Sequence, residues 1–326
     1  MAVKKEVDLC FVFVNYGITL INHWKRMLKS QKLVIGTIIT CFIFSCNGIY
    51  SQEKTKVIVD ADTGNEVDDI FALARIIMEP SIEITALNAA HWQTSLWAIP
   101  NTMENSHRLN QQLLGEMDAT VKTLRGANAR MYDWGDRAQH SAAAYEIIAQ
   151  AEDTEQLNVL ALGALTNLAS AVYIKPEIAK KITVYWLGTT MDFNTGVLKR
   201  NDFNPLMDPF ALDMLLDSDV ELVIMPINVA VDMEIKYDDL EKAIGSLDLG
   251  KYLLKRWDNH LDGSRKSRIL WDLALVSAFI KPNLAHTIKI KTSRDSGDRE
   301  ISFYDSLDGK AIYQDFYKTL LAFSKE

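Results

Sequence analysis

Four aspartates crowd one short stretch of the chain, Val57-Ile58-Val59-Asp60-Ala61-Asp62-Thr63-Gly64-Asn65-Glu66-Val67-Asp68-Asp69. Carboxylates this close repel one another strongly once withdrawn from water, so the cluster calls for protons or a cation. Oxygen donors without His or Cys select a hard ion, and flexible many-oxygen coordination favours Ca²⁺ over Mg²⁺. Asp68 and Asp69 could instead serve only the dipole of a helix N-terminus, which leaves Asp60 and Asp62 without a role. All three cysteines, Cys10, Cys41 and Cys46, precede this stretch, so the rest of the chain works without thiol chemistry.

The elements around the cluster follow from hydrophobic periodicity. Residues 57–60 read as a strand and 70–78 as an amphipathic helix. Strands at 82–87, 157–162, 182–187 and 221–226 alternate with helices at 101–117, 142–151, 166–172, 208–216, 237–244 and 271–280. Residues 286–292 and 301–304 read as a hairpin, followed by a last helix from Tyr313. Such alternation predicts an α/β fold: a single open, mostly parallel sheet flanked by helices, with a C-terminal hairpin and helix. No Pro/Gly/Ser-rich linker or repeat divides residues 52–326, and a ligand site is expected beyond the carboxyl ends of the strands.

Composition bounds the partners. With 48% hydrophobic and 24% charged residues the chain is an ordinary globular protein, and a net charge of -8 leaves no broad basic surface for nucleic acid. Residues 1–51 read as an address. From Met27, Lys29 and Lys32 precede a run of apolar or small residues (33–44) and then small polar ones, the layout of a secretory signal cleaved near Ser51. Cys46, preceded by Ile43-Phe44-Ser45, also resembles a lipoprotein processing site, so membrane attachment would run only through a lipid there. A retained anchor would need about 20 apolar residues, more than the run supplies. An apolar stretch (9–21) upstream suggests Met27 as the natural start. The expected location is exported, either periplasmic or lipid-anchored to the envelope.

The aspartate stretch resembles the opening motif of the calcium-dependent, inosine-uridine preferring nucleoside hydrolases, Asp-x-Asp-x-Gly followed closely by Asp-Asp, with a slightly longer loop between. The resemblance continues in Gly163-Ala164-Leu165-Thr166-Asn167, in Asn201-Asp202-Phe203-Asn204 with Asp208-Pro209, and in Trp271-Asp272. It implies that Asp62, Asp69, Asp272 and the carbonyl of Thr166 hold Ca²⁺, and that Asp62 takes the proton of the attacking water while Asp60 supports the site from behind. It also implies that Asp68, Asn204 and Asp272 grip the ribose 2′- and 3′-hydroxyls, that Asp202 and Asn194 reach the 5′-hydroxyl, and that His91 lies where an asparagine usually faces the sugar. The implied reaction is hydrolysis of the N-glycosidic bond of ribonucleosides or related N-ribosides. Homo-oligomers are common in the family, but the sequence carries no coiled-coil or other readable interface signal.

Two positions depart from the family pattern. Trp271 stands where a histidine often helps protonate the departing base, and an indole N–H donates a hydrogen bond without acting as a general acid near neutral pH. His91, His140 and His260 are the candidate replacements; Trp271 could instead stack on a base or fill the core beside the site. Asp202 stands where glutamate is usual. Trp92, Trp97 and the Tyr132-Asp133-Trp134 loop could wall a base pocket or pack between helix and sheet. Two competing functions follow: a non-catalytic, calcium-dependent nucleoside or riboside binder, and a phosphatase of the haloacid-dehalogenase type. The latter places Thr or Val where Gly64 stands here.

Overall fold

The computed structural model describes residues 54–132 and 135–325. The address of residues 1–51 and the Asp133-Trp134 part of the aromatic loop lie outside the described residues.

β1 (Thr55–Ala61) leads into α1 (Asp68–Ile77), β2 (Ile82–Ala89), α2 (Thr102–Glu116) and a short β3 (Thr123–Arg125). α3 (Ala142–Asp153), β4 (Leu157–Ala161), α4 (Thr166–Ile174) and β5 (Ile182–Leu187) continue the alternation. A small hairpin of β6 (Thr190–Asp192) and β7 (Val197–Lys199) precedes α5 (Phe203–Met207), α6 (Pro209–Leu216) and β8 (Glu221–Met225). Then come α7 (Ile227–Ala230), β9 (Glu234–Lys236), α8 (Tyr237–Ile244), α9 (Asp248–Asp258), β10 (Ser267–Ile269) and α10 (Trp271–Ile280). β11 (Ala285–Lys291), β12 (Glu300–Leu307) and α11 (Gly309–Phe323) complete the described chain.

Eight strands form one open sheet in the order β11-β12-β8-β5-β4-β1-β2-β3. Neighbours pair in parallel except β11, which runs antiparallel to β12. The expected C-terminal hairpin is therefore the edge of the main sheet, and the last helix begins at Gly309 rather than Tyr313. β1 is central because it is apolar on both faces: Val57, Val59 and Ala61 pack into one core, Ile58 into the other. The first core lies under α1, α10 and α11, the second under α3, α4 and α6.

Strand order reverses at β1. From there the chain moves outward through β2 and β3, then crosses to β4 on the other side of β1. Such a switch point opens a crevice at the carboxyl ends of the two diverging strands, here after Ala61 and Ala161. Ladder hydrogen bonds hold both rims, with the Leu162 N–H donating to the Asp60 carbonyl and the Ala90 N–H to the Ala61 carbonyl, each at 2.8 Å.

Candidate active site

Three elements bring carboxylates to the crevice. Asp62 follows β1, Asp68 and Asp69 form the first turn of α1, and Asp272 lies in the first turn of α10. α1 has no side-chain cap at its N-terminus, so its first-turn acids face the positive end of the helix dipole. The Asp272 backbone N–H donates to Asp68 Oδ2 at 3.0 Å, tying the two helix starts together across 204 residues of sequence.

All four carboxylates are buried. Burial first, and then neighbouring carboxylates, push Asp62, Asp69 and Asp272 well above the ordinary carboxylate range. Burial also raises Asp68, against the hydrogen bond from the Asp272 backbone. One carboxylate oxygen each from Asp68, Asp69 and Asp272 lie within 4.8 Å of one another. Asp69 Oδ1 and Asp272 Oδ1 are buried without a hydrogen-bond partner, an arrangement that costs free energy unless a cation completes it. The donor set is hard oxygen throughout, so a metal ion fits these residues. The tightest trio contains Asp68 where the sequence pointed to Asp62. Asp62 lines the same cavity and presses electrostatically on Asp69.

The cavity they face holds about 300 Å³ and is walled by Leu162 and Leu187 on the strand side and by Asp202, Phe203, Asn204 and Trp271. Asp202 caps α5, accepting from the Asn204 N–H at 3.3 Å, and burial raises its carboxyl to about 6. Both amide hydrogens of Asn204 are engaged, at 2.8 Å from the Leu162 carbonyl and 2.9 Å from that of Leu187, which leaves its Oδ1 as the atom able to meet a ligand. Trp271 lines the cavity while also packing against the core.

Other expected residues lie behind or away from this cavity. Asp60 is buried in β1, accepts from Asn167 Nδ2 at 3.1 Å and is raised by burial to about 7. Thr166 opens α4 with its hydroxyl committed, donating to Asp208 Oδ2 at 2.6 Å and lying 2.9 Å from His91 Nε2, so any ligand role falls to its carbonyl. His91 is locked in that relay and does not line the cavity; burial lowers its pKa to about 4, so the ring is neutral. Asn194 sits on the exposed β6–β7 turn, its N–H donating to Asp192 Oδ1 at 3.0 Å, and does not line the cavity either. Trp92 is fully buried against Ala164 and Met207 and donates to Ser106 Oγ at 3.1 Å, making it a core residue beside the site. His140 is bound on the surface to Asp136 and Tyr145.

Asn65 and Glu66, in the longer loop, were not singled out by the sequence pattern. Asn65 Nδ2 donates to Asp62 Oδ2 at 3.0 Å, while the Asn65 carbonyl accepts from Trp97 Nε1 at 2.5 Å. Glu66 lines the cavity and is raised to about 8, chiefly by burial and then by Asp68.

This fold has counterparts among known proteins. The model of the inosine-uridine preferring nucleoside hydrolases matches residues 57–305. A probable uridine nucleosidase 2 of Arabidopsis thaliana is 26% identical over 258 residues, covering 71% of this chain and 79% of that protein. The non-specific ribonucleoside hydrolase RihC of Salmonella enteritidis is 24% identical over 251 residues, covering 70% and 79%. The solved purine-preferring ribonucleoside hydrolase from Gardnerella vaginalis shares the fold with a TM-score of 0.63 at 19% identity, covering 83% of this chain and 99% of that one. The chain belongs to the inosine-uridine preferring nucleoside hydrolase family. It is accordingly an N-glycosidase that hydrolyses ribonucleosides, with a buried aspartate cluster suited to a metal ion.

Proposed function

We propose that the protein hydrolyses ribonucleosides with Ca²⁺ held by Asp62, Asp69, Asp272 and the Thr166 carbonyl, and with Asp62 as general base. The observation that carries this reading is the cluster of buried carboxylates with unpaired oxygens at the switch point of the sheet. Ca²⁺, when bound, supplies Lewis-acid activation of the attacking water. Asp62 is suited to take the water's proton because Asn65 engages its Oδ2 and so orients the carboxylate. Asp68 and the Asn204 Oδ1 accept from the ribose 2′- and 3′-hydroxyls, and Asp202 accepts from the 5′-hydroxyl. The buried carboxylates stabilise the positive charge that develops on an oxocarbenium-like sugar.

Asp62→Asn keeps the side chain's shape and removes the base. The expected result is a loss of about 10² to 10⁴-fold in kcat with the fold intact by circular dichroism; wild-type turnover would overturn the assignment. We also propose that residues 1–51 direct export, with cleavage near Ser51 or lipidation at Cys46. The intact mass of the protein recovered from its native envelope distinguishes the two, and an uncleaved chain contradicts both.

A further inference from the structure

Beyond Trp271 and Glu66, which wall both spaces, the active cavity adjoins a second cavity of about 270 Å³, lined also by Glu234, Arg265, Ser267 and Arg268. Besides its 2′- and 3′-hydroxyls, a nucleoside's ribose carries two unequal groups, a hydroxymethyl at C4′ and a far larger base at C1′. Trp271 directly precedes Asp272, so the second cavity begins next to the carboxylates that surround the bond to be broken. It is an adjoining space with room for a base.

The cavity offers cationic donors beside Trp271, which stands where a histidine often protonates the departing base. Arg268 is buried and committed: its terminal nitrogens donate to Asp262 at 2.9 and 2.6 Å and to the Gly263 carbonyl at 2.9 Å, and its guanidinium lies 5.4 Å from the Trp257 ring centroid. Arg265 is held at one point, its Nε 2.7 Å from Asp262 Oδ2. That ion pair holds the half-exposed guanidinium near the cavity wall and leaves its terminal amino groups as donors to a ligand.

We propose that Arg265 is a catalytic residue that stabilises the departing base as an anion, in place of the protonation Trp271 cannot perform, and that the substrates it favours carry carbonyl oxygens on the base. This rests on the hydrolase reading above. The C1′–N bond breaks with its electron pair passing to the base, the water oxygen bonds to C1′, and the water's proton passes to Asp62. The negative charge spreads onto the base's carbonyl oxygens, where Arg265 donates hydrogen bonds, and the released base takes its proton from solvent. A preorganised cation at the point of charge development is worth about 10² to 10³-fold in rate.

The test compares uridine with 4-nitrophenyl β-D-ribofuranoside, whose leaving group departs as a stable anion without help. In the full-length protein, Arg265→Ala is expected to lose about 10²-fold in kcat/KM on uridine and less than about tenfold on the nitrophenyl riboside. Added guanidinium ion should restore part of the uridine rate only. Equal losses on the two substrates, or no loss on uridine, would overturn the role of Arg265 while leaving the hydrolase reading intact. A wild-type protein inert to both substrates would overturn the hydrolase reading and this inference with it.

Discussion

Gly163 stands against Asp62 so closely that a Cβ on the glycine would lie 2.7 Å from the aspartate Cγ. The loop after β4 thus forms the floor on which Asp62 rests, and the Gly163 carbonyl is itself pinned by Trp186 Nε1 at 3.0 Å. Neither side can yield without cost, because one is backbone and the other the carboxylate proposed as general base.

Gly163→Ala should therefore displace Asp62 and lower kcat by about 10²-fold, the usual cost of an ångström-scale misplacement of a reacting group. Steady-state kinetics beside a thermal melt checks this. A wild-type kcat would show that the carboxylate position is not critical.

The buried acids make stability depend on pH in a direction set by their raised pKa values. Asp60 is raised to about 7 and Glu66 to about 8, first by burial in both cases. A carboxyl whose pKa is higher in the folded state contributes stability below its unfolded value near 4, and that contribution is lost as pH rises through the folded value. Chelated protein should thus melt at progressively lower temperature between about pH 5 and pH 8. With Ca²⁺ the decline should shrink, and the stabilisation by Ca²⁺ should grow with pH. Melting curves across that range, with and without chelator, measure both; a pH-independent Ca²⁺ effect would contradict the account.

Away from the site, Arg75 of α1 is buried and meets Asp315 of α11 at 2.8 Å and Glu79 at 3.0 Å. Both acids are only partly buried and Asp315 keeps Lys281 as a second cation, so Arg75→Ala should destabilise by about 1 to 3 kcal/mol through the charged hydrogen bonds it loses. Denaturant unfolding reads this, and a change below about 1 kcal/mol would place the pair among those of little consequence.

Trp92→Ala should cost about 3 to 5 kcal/mol of stability through the cavity it leaves, while lowering rates on different nucleosides in similar proportion. Unequal losses among nucleosides would place the indole in contact with the base after all.

The scaffold was largely legible because its long elements repeat apolar residues at strand or helix period. Val57, Ile58 and Val59 read directly as a strand and residues 271–280 as a helix, and the structure buries the first on both faces and the second nearly all round. The three-residue strands β3, β6, β7, β9 and β10 carry too few positions to show a period. α9 was hidden by Gly250, whose Cβ would lie 2.0 Å from the Ile244 carbonyl, so close packing demands a helix breaker within the helix. The acidic cluster was legible because its members sit in motifs at strand and helix ends. Asn65, Glu66 and Arg265 were not, since each acquires its place through contacts made only in the folded chain: with Asp62, with Asp68 and with Asp262. His91 and Asn194 show the converse, positions matched by motif order that the fold turns toward Thr166 and toward solvent.

Release of free ribose by the purified protein, with Ca²⁺ and then with excess chelator, tests the central claim most directly. Uridine and inosine are the first substrates to try. The account predicts ribose release with Ca²⁺, its loss on chelation and its return on adding Ca²⁺ back. Turnover that persists through complete chelation would contradict the calcium site, and folded, calcium-loaded protein that releases no ribose from any ribonucleoside would contradict the assigned activity.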